Sequence, residues 1–141
     1  MTPMLTGLAA EQMVVPLFDR IKDRYVVRHN WPIPPRPGCQ SSRIEWMLFP
    51  NIGGKIGIEV QTQNRPGSAE RRITDKIKTL SDLVKASNGE FAKFYVLIIG
   101  EGFRERERYL DPQFKASLNV GDEVEVVTLD MFTSRLLMCQ A

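Results

Sequence analysis

Two arms of seven residues constrain this chain more than any other feature. Residues 43–49 (RIEWMLF) and 55–61 (KIGIEVQ) both alternate, and Pro50, Asn51, Ile52, Gly53 and Gly54 between them are turn material. Alternation of period two is the signature of paired strands, because successive side chains leave opposite faces of the pleat. A three-residue loop over 51–53 sets Pro50 opposite Gly54, Leu48 opposite Ile56, Trp46 opposite Ile58 and Ile44 opposite Val60. That register predicts one continuous apolar face. On the other face it brings Glu45 across from Glu59, with Gly57 and Gln61 beside the pair and Arg43 opposite Gln61.

The flanking segments supply layers for this hairpin. Residues 8–21 carry Leu8, Met13, Leu17, Phe18 and Ile21 at mostly helical intervals, with Pro16 as an expected break. Residues 25–29 (YVVRH) read as a short strand, and the four prolines of WPIPPRPG (31–38) predict a stiff exposed loop. After the turn NRPGS, Ser68 is a plausible helix cap. From Ala69 to Ala86, Ile73, Ile77, Leu80 and Val84 form one buried stripe, while Arg72, Asp75, Lys76, Lys78 and Asp82 flank it or face outward. FAKFYVLII (91–99) reads as a strand buried on both faces, GEGFRERERY as a solvated segment, and GDEVEVVTL (121–129) as a last strand before a short helix over 130–138. The order predicts an α/β sandwich of three layers around a central mixed sheet, with residues 1–141 as a single domain.

A chain of 141 residues can bury a core without disulfide or metal staples. Cys39 and Cys139 have no chelating spacing and are too few for a secreted disulfide framework, so a reducing cytoplasm is expected. The first residues lack the pattern of a signal peptide, and no apolar run approaches the roughly 20 residues that cross a bilayer. The formal charge of +2 permits a nucleic-acid partner without arguing for one. Gly53-Gly54 sits between strands and starts no helix, which excludes the phosphate-cradling glycine motifs, and His29 has no evident nucleophile and supporting acid for a covalent relay.

The carboxylate pair carries the chemistry. Two glutamates opposed on one sheet face repel each other unless a cation or a shared proton lies between them. Mg²⁺ resolves the conflict, since it accepts one or two carboxylates together with waters and phosphate oxygens. The other reading leaves Glu45 and Glu59 facing solvent, paired with Arg43, Lys55 or the helix lysines.

A helix, an acidic residue in the second strand, and IEVQTQ in the third strand before a helix together resemble the PD-(D/E)XK nuclease superfamily of restriction endonucleases and junction resolvases, over about Leu8 to Leu129. The resemblance implies a restriction-endonuclease-like fold. It makes Glu45 and Glu59 the Mg²⁺ ligands, with Mn²⁺ as a substitute, and Gln61 the residue that orients the attacking water. It adds Glu11, on the first helix, as a further metal contact. Glu45 stands where Asp is usual and follows Ile44 rather than Pro, and Gln61 stands where Lys is typical. An amide cannot act as an ammonium does, which shifts the burden onto metal-activated water.

Arg65, Arg71, Arg72, Lys76 and Lys78 follow the metal-binding strand closely enough to hold phosphates, and Gln63 continues the period of Glu59 and Gln61. Taken singly, the arginines also suit a solvated helix start and Gln63 an ordinary strand exit. In the proline-rich loop, Arg36 is a candidate DNA contact with His29, whereas Trp31 is expected to pack. The leading expectation is a Mg²⁺-dependent DNA endonuclease, most like a small type II restriction enzyme. A homodimer would give two cuts in double-stranded DNA. A junction resolvase or repair nuclease is a variant of the same chemistry. The alternatives are a non-catalytic nucleic-acid-binding or accessory subunit with this fold, and an unrelated α/β interaction protein.

Overall fold

The computed structural model describes residues 7–33, 42–62, 69–100 and 106–138. They form, in order, α1 (Gly7–Asp19), β1 (Tyr25–Ile33), β2 (Ser42–Pro50), β3 (Lys55–Thr62), α2 (Ala69–Ala86), β4 (Phe91–Ile99), α3 (Arg106–Leu110), α4 (Pro112–Ser117), β5 (Val124–Val127) and α5 (Leu129–Met138). This is a mixed α/β architecture with a five-stranded sheet, ordered β1-β2-β3-β4-β5 and flanked by helices. The first three strands are an antiparallel meander, and β3-β4 and β4-β5 pair in parallel. Parallel neighbours cannot be joined by a tight turn. Helix α2 makes the first crossover, and α3 with α4 makes the second.

The apolar periods assign each helix to a face. Ile73, Ile77 and Leu80 of α2 pack with Tyr109, Phe114 and the sheet residues Met47, Phe94 and Val96. On the opposite face Val14 and Phe18 of α1 and Phe132 and Leu136 of α5 pack on Trp46, Leu48, Ile58 and Leu97. Strand β4 feeds both cores, as its unbroken apolar run requires. Each wholly buried aliphatic side chain here contributes about 1.5–3 kcal/mol. Gly57 is dictated by this packing, because a Cβ there would lie 2.0 Å from the Phe94 ring.

Several expectations change. Helix α1 runs through Pro16 and ends at Asp19, so the proline lies near the last turn rather than at a break. Met13 is exposed, and Val14 takes its place in the core. Strand β1 extends over Trp31, Pro32 and Ile33, which the proline count had assigned to loop; Pro32 is tolerated because β1 is a sheet edge. Part of the segment expected to be solvated forms α3, whose Tyr109 is buried against Phe114. Among the described residues no helix is long and apolar enough to cross a membrane.

The hairpin register is the expected one at its centre: Trp46 faces Ile58, Met47 faces Gly57 and Leu48 faces Ile56. It does not persist toward Ile44. Trp46 and Leu48 enter the core under α1 and α5, but Ile44 joins Met47 on the α2 side. Strand β1 changes phase at the same level, since Val27 packs under α1 while Trp31 and Ile33 lie on the other side. The two strands keep one register throughout, with His29 against Trp46 and Trp31 against Ile44. Between those pairs Asn30 takes the left-handed region (φ 58°), which Asn accepts more readily than most side chains. The ribbon therefore turns over at Asn30 and Glu45.

Candidate functional site

Glu45 lies where the β2-β3 pairing ends. Its Oε2 accepts a hydrogen bond from the Val60 backbone N–H at 2.7 Å, so a side chain satisfies a donor beyond the last paired residues. Glu59 is next to Val60 in β3 and points toward α2, where Lys76 Nζ stands 3.9 Å from its Oε1. Both carboxylates line one open recess of about 420 Å³ with His29, Asn30, Arg43 and Val60. Arg43 Nη1 donates to the Asn30 carbonyl at 2.9 Å, which ties the overturned parts of β1 and β2 together.

Glu59 is 8% exposed, a rare position for a carboxylate. Burial pushes its pKa up to about 7; Lys76 opposes the rise, Glu45 adds to it, and a hydrogen bond with the Glu45 backbone lowers it. Burial and the neighbouring Glu45 therefore let Glu59 keep its proton to higher pH than an exposed carboxyl does. The His29 ring lies 4.2 Å from that of Trp46, itself 4.8 Å from Phe18, so His29 sits in β1, as the strand over 25–29 predicts, and joins its aromatic packing.

The expected site is partly assembled in one place. Glu45 and Glu59 share the recess, while Gln61 lines a separate one of about 380 Å³ with Arg72, Asp75, Lys76 and Thr79. Lys76 lines the Gln61 recess and is paired with Glu59. Lys78 lies elsewhere, in a recess with Ser81, Asp82, Lys85 and Asn119. Trp31 packs edge-on against Phe49 with centroids 4.9 Å apart. Arg36, Gln63 and Arg65 fall outside the described residues, as do the side chains of Glu11 and Arg71. Among the described residues no group of three or more His, Cys, Asp or Glu side chains is placed to hold a metal ion.

Sequence reasoning missed Asn30; it did weigh a pairing of Glu59 with the helix lysines, and the structure shows that lysine to be Lys76. An asparagine amid strand residues is a weak sign of positive φ; the pairing across the crossover has no local signal.

No protein-family profile matches the chain, and no curated protein matches it. The structure is similar to the crystal structure of AF1548, a protein of unknown function, with a TM-score of 0.50 and 12% identity. The match covers 84% of this chain and 56% of that one, so this chain spans little more than half the length of that protein. At this identity the likeness is one of fold.

Proposed function

We propose that this chain is a Mg²⁺-dependent endodeoxyribonuclease with a restriction-endonuclease-like fold, a cytoplasmic enzyme that cuts double-stranded DNA as a homodimer. One observation carries the reading: two carboxylates, one of them nearly buried, line a single open recess where the β2-β3 ladder ends. Two carboxylates beside open space suit Mg²⁺, which keeps several waters and takes few protein ligands. Glu45 and Glu59 would hold the ion, which supplies charge to polarise a phosphodiester and to make an attacking water more acidic.

The chain's own groups supply the rest. The Val60 amide fixes the Glu45 carboxylate, so little ordering remains to be done when a cation binds. Arg72 and Lys76, which line one recess with Gln61, would hold backbone phosphates, and the Gln61 amide would orient water or a phosphate oxygen. A resolvase or repair nuclease would use the same groups.

A second reading has its own support. Lys76 already provides Glu59 with a counter-charge, and an amide stands at position 61; both suit an accessory DNA-binding subunit that has lost metal activation. Incubation of wild-type and Glu59→Ala protein with plasmid and genomic DNA, in Mg²⁺, Mn²⁺ or chelator, separates the two. Metal-dependent fragments from the wild type alone are expected. Salt-dependent binding without cleavage would move the assignment to the accessory subunit, and cleavage that survives Glu59→Ala would refute the site.

A further inference from the structure

We propose that the cleft beside β5, between the α3-α4 pair and α5, is a second ligand site that takes a small organic oxyanion. Its recess of about 290 Å³ shares no lining residue with the carboxylate recess or with that of Gln61, so the inference stands apart from the nuclease reading. A volume near the lower bound of about 300 Å³ for small-molecule pockets suits a compact ligand rather than a polymer.

Three cations from three elements line this cleft: Lys93 of β4, Lys115 of α4 and Arg135 of α5. The acids that line it with them are Asp122 and Glu125. Glu125 is shared, since its carboxylate takes Lys93 Nζ at 2.8 Å, Arg135 Nη2 at 2.9 Å and Arg135 Nε at 3.1 Å. One negative charge thus answers two positive ones. Burial opposes its ionisation, but the hydrogen bonds from Arg135 and Lys93 hold the Glu125 carboxyl below its ordinary pKa, so it stays charged and engaged.

Lys115 is the group that points to a ligand. Its Nζ donates to the Val124 carbonyl at 2.7 Å and to the Gly121 carbonyl at 3.2 Å, and among the described residues no carboxylate lies within 4 Å of it. Carbonyl dipoles occupy two of its three N–H groups and supply no full countercharge. A half-buried ammonium so placed gains from an anion that takes the third. Its position is fixed, because Asp111 Oδ1 caps α4 at the Gln113 N–H and Phe114 anchors the helix against Tyr109. Lys93 is held as firmly, 5.0 Å from the centre of the Tyr95 ring. Cations already ordered in this way lose little side-chain entropy when an anion binds. Leu110, Pro112 and Met131 add an apolar wall, which gives an organic body a place that a free inorganic ion cannot use.

The test titrates full-length protein with phenyl phosphate, benzoate, inorganic phosphate and neutral benzamide, following heat and amide chemical shifts. At least one aryl anion is expected to bind with a Kd of about 1 mM or tighter and to move the amides of Lys115 and Met131; the tighter of the two identifies the oxyanion. Inorganic phosphate and benzamide should each bind at least roughly tenfold more weakly, one lacking the apolar body and the other the charge. Lys115→Met should weaken the aryl anion roughly tenfold, and Lys115→Arg much less. Because Lys115→Met also releases two carbonyls, a second variant, Pro112→Glu, places an acid on the wall of the cleft in the first turn of α4, where the helix tolerates it. It should weaken the aryl anions and leave benzamide unchanged. The proposal is overturned if neither aryl anion saturates, if benzamide matches benzoate, if inorganic phosphate matches phenyl phosphate, if the shifts cluster around Gln61 instead, or if Lys115→Met or Pro112→Glu binds the aryl anion as wild type does.

Discussion

The carboxylate of Glu45 accepts the backbone N–H of Val60 at 2.7 Å, so a candidate metal ligand is also a structural tie at the place where two strands part. The residue on the far side of that amide is Glu59, so the hydrogen bond ties the Glu45 side chain to the strand segment that carries the second carboxylate. Stability and activity at this site are separable, because an amide oxygen accepts the same hydrogen bond without carrying the charge.

Glu45→Gln is accordingly expected to leave urea-denaturation stability within about 1 kcal/mol of wild type, whereas Glu45→Ala, which strands the part-buried Val60 N–H, costs about 1–3 kcal/mol. Both variants should lose metal-dependent cleavage. Equal stability losses in the two would show that the charge, not the acceptor oxygen, holds the strand.

Glu59 makes a pH-dependent prediction. Burial raises its pKa from 4.5 to about 7, with Lys76 opposing and Glu45 reinforcing the rise. The unfolded chain releases this proton near 4.5 while the folded chain keeps it, so its contribution to stability is present below pH 4.5 and is lost as pH rises to 7. The loss amounts to about 3 kcal/mol at most. In chelator, Glu59→Gln should match wild type near pH 4.5 and exceed it at pH 8 by up to that amount. Urea denaturation at the two pH values checks this, and a variant less stable than wild type at pH 8 would contradict it.

Asn30 bears the backbone cost of the turnover in β1. At φ 58° a glycine is free of Cβ strain and a β-branched residue is not. Asn30→Gly should therefore fall within about 1 kcal/mol of wild type, and Asn30→Val should cost about 1–3 kcal/mol more. Because Asn30 lines the recess with Glu45 and Glu59, Asn30→Val should also lower metal-dependent cleavage. Thermal melts of both variants against wild type measure the first effect, and cleavage assays the second.

The central register of the hairpin, Trp46 on Ile58 and Leu48 on Ile56, was legible because strict alternation admits few pairings once the turn is located. The α2 stripe and the doubly buried β4 were legible for the same reason: one helical period and one unbroken apolar run each dictate what must be covered. Ile44 was not. Its alternation with Trp46 is intact in sequence, and only the turnover of the β1-β2 ribbon sends it to the opposite core.

The sequence by itself determined the β2-β3 hairpin, α2, β4 and the last strand, the buried stripe of α2, and that Glu45 and Glu59 lie near one another. These follow from periodicity and turn chemistry, which act between residues close along the chain. Only the tertiary structure decided that Glu45 would hold the Val60 amide, that Gln61 would line a separate recess, and that Lys76 would stand beside Glu59. The twist of the ribbon and the docking of α2 across the crossover set those relations. Both are settled by packing between distant elements, where a few degrees of rotation choose the facing side chain and no local pattern records the choice.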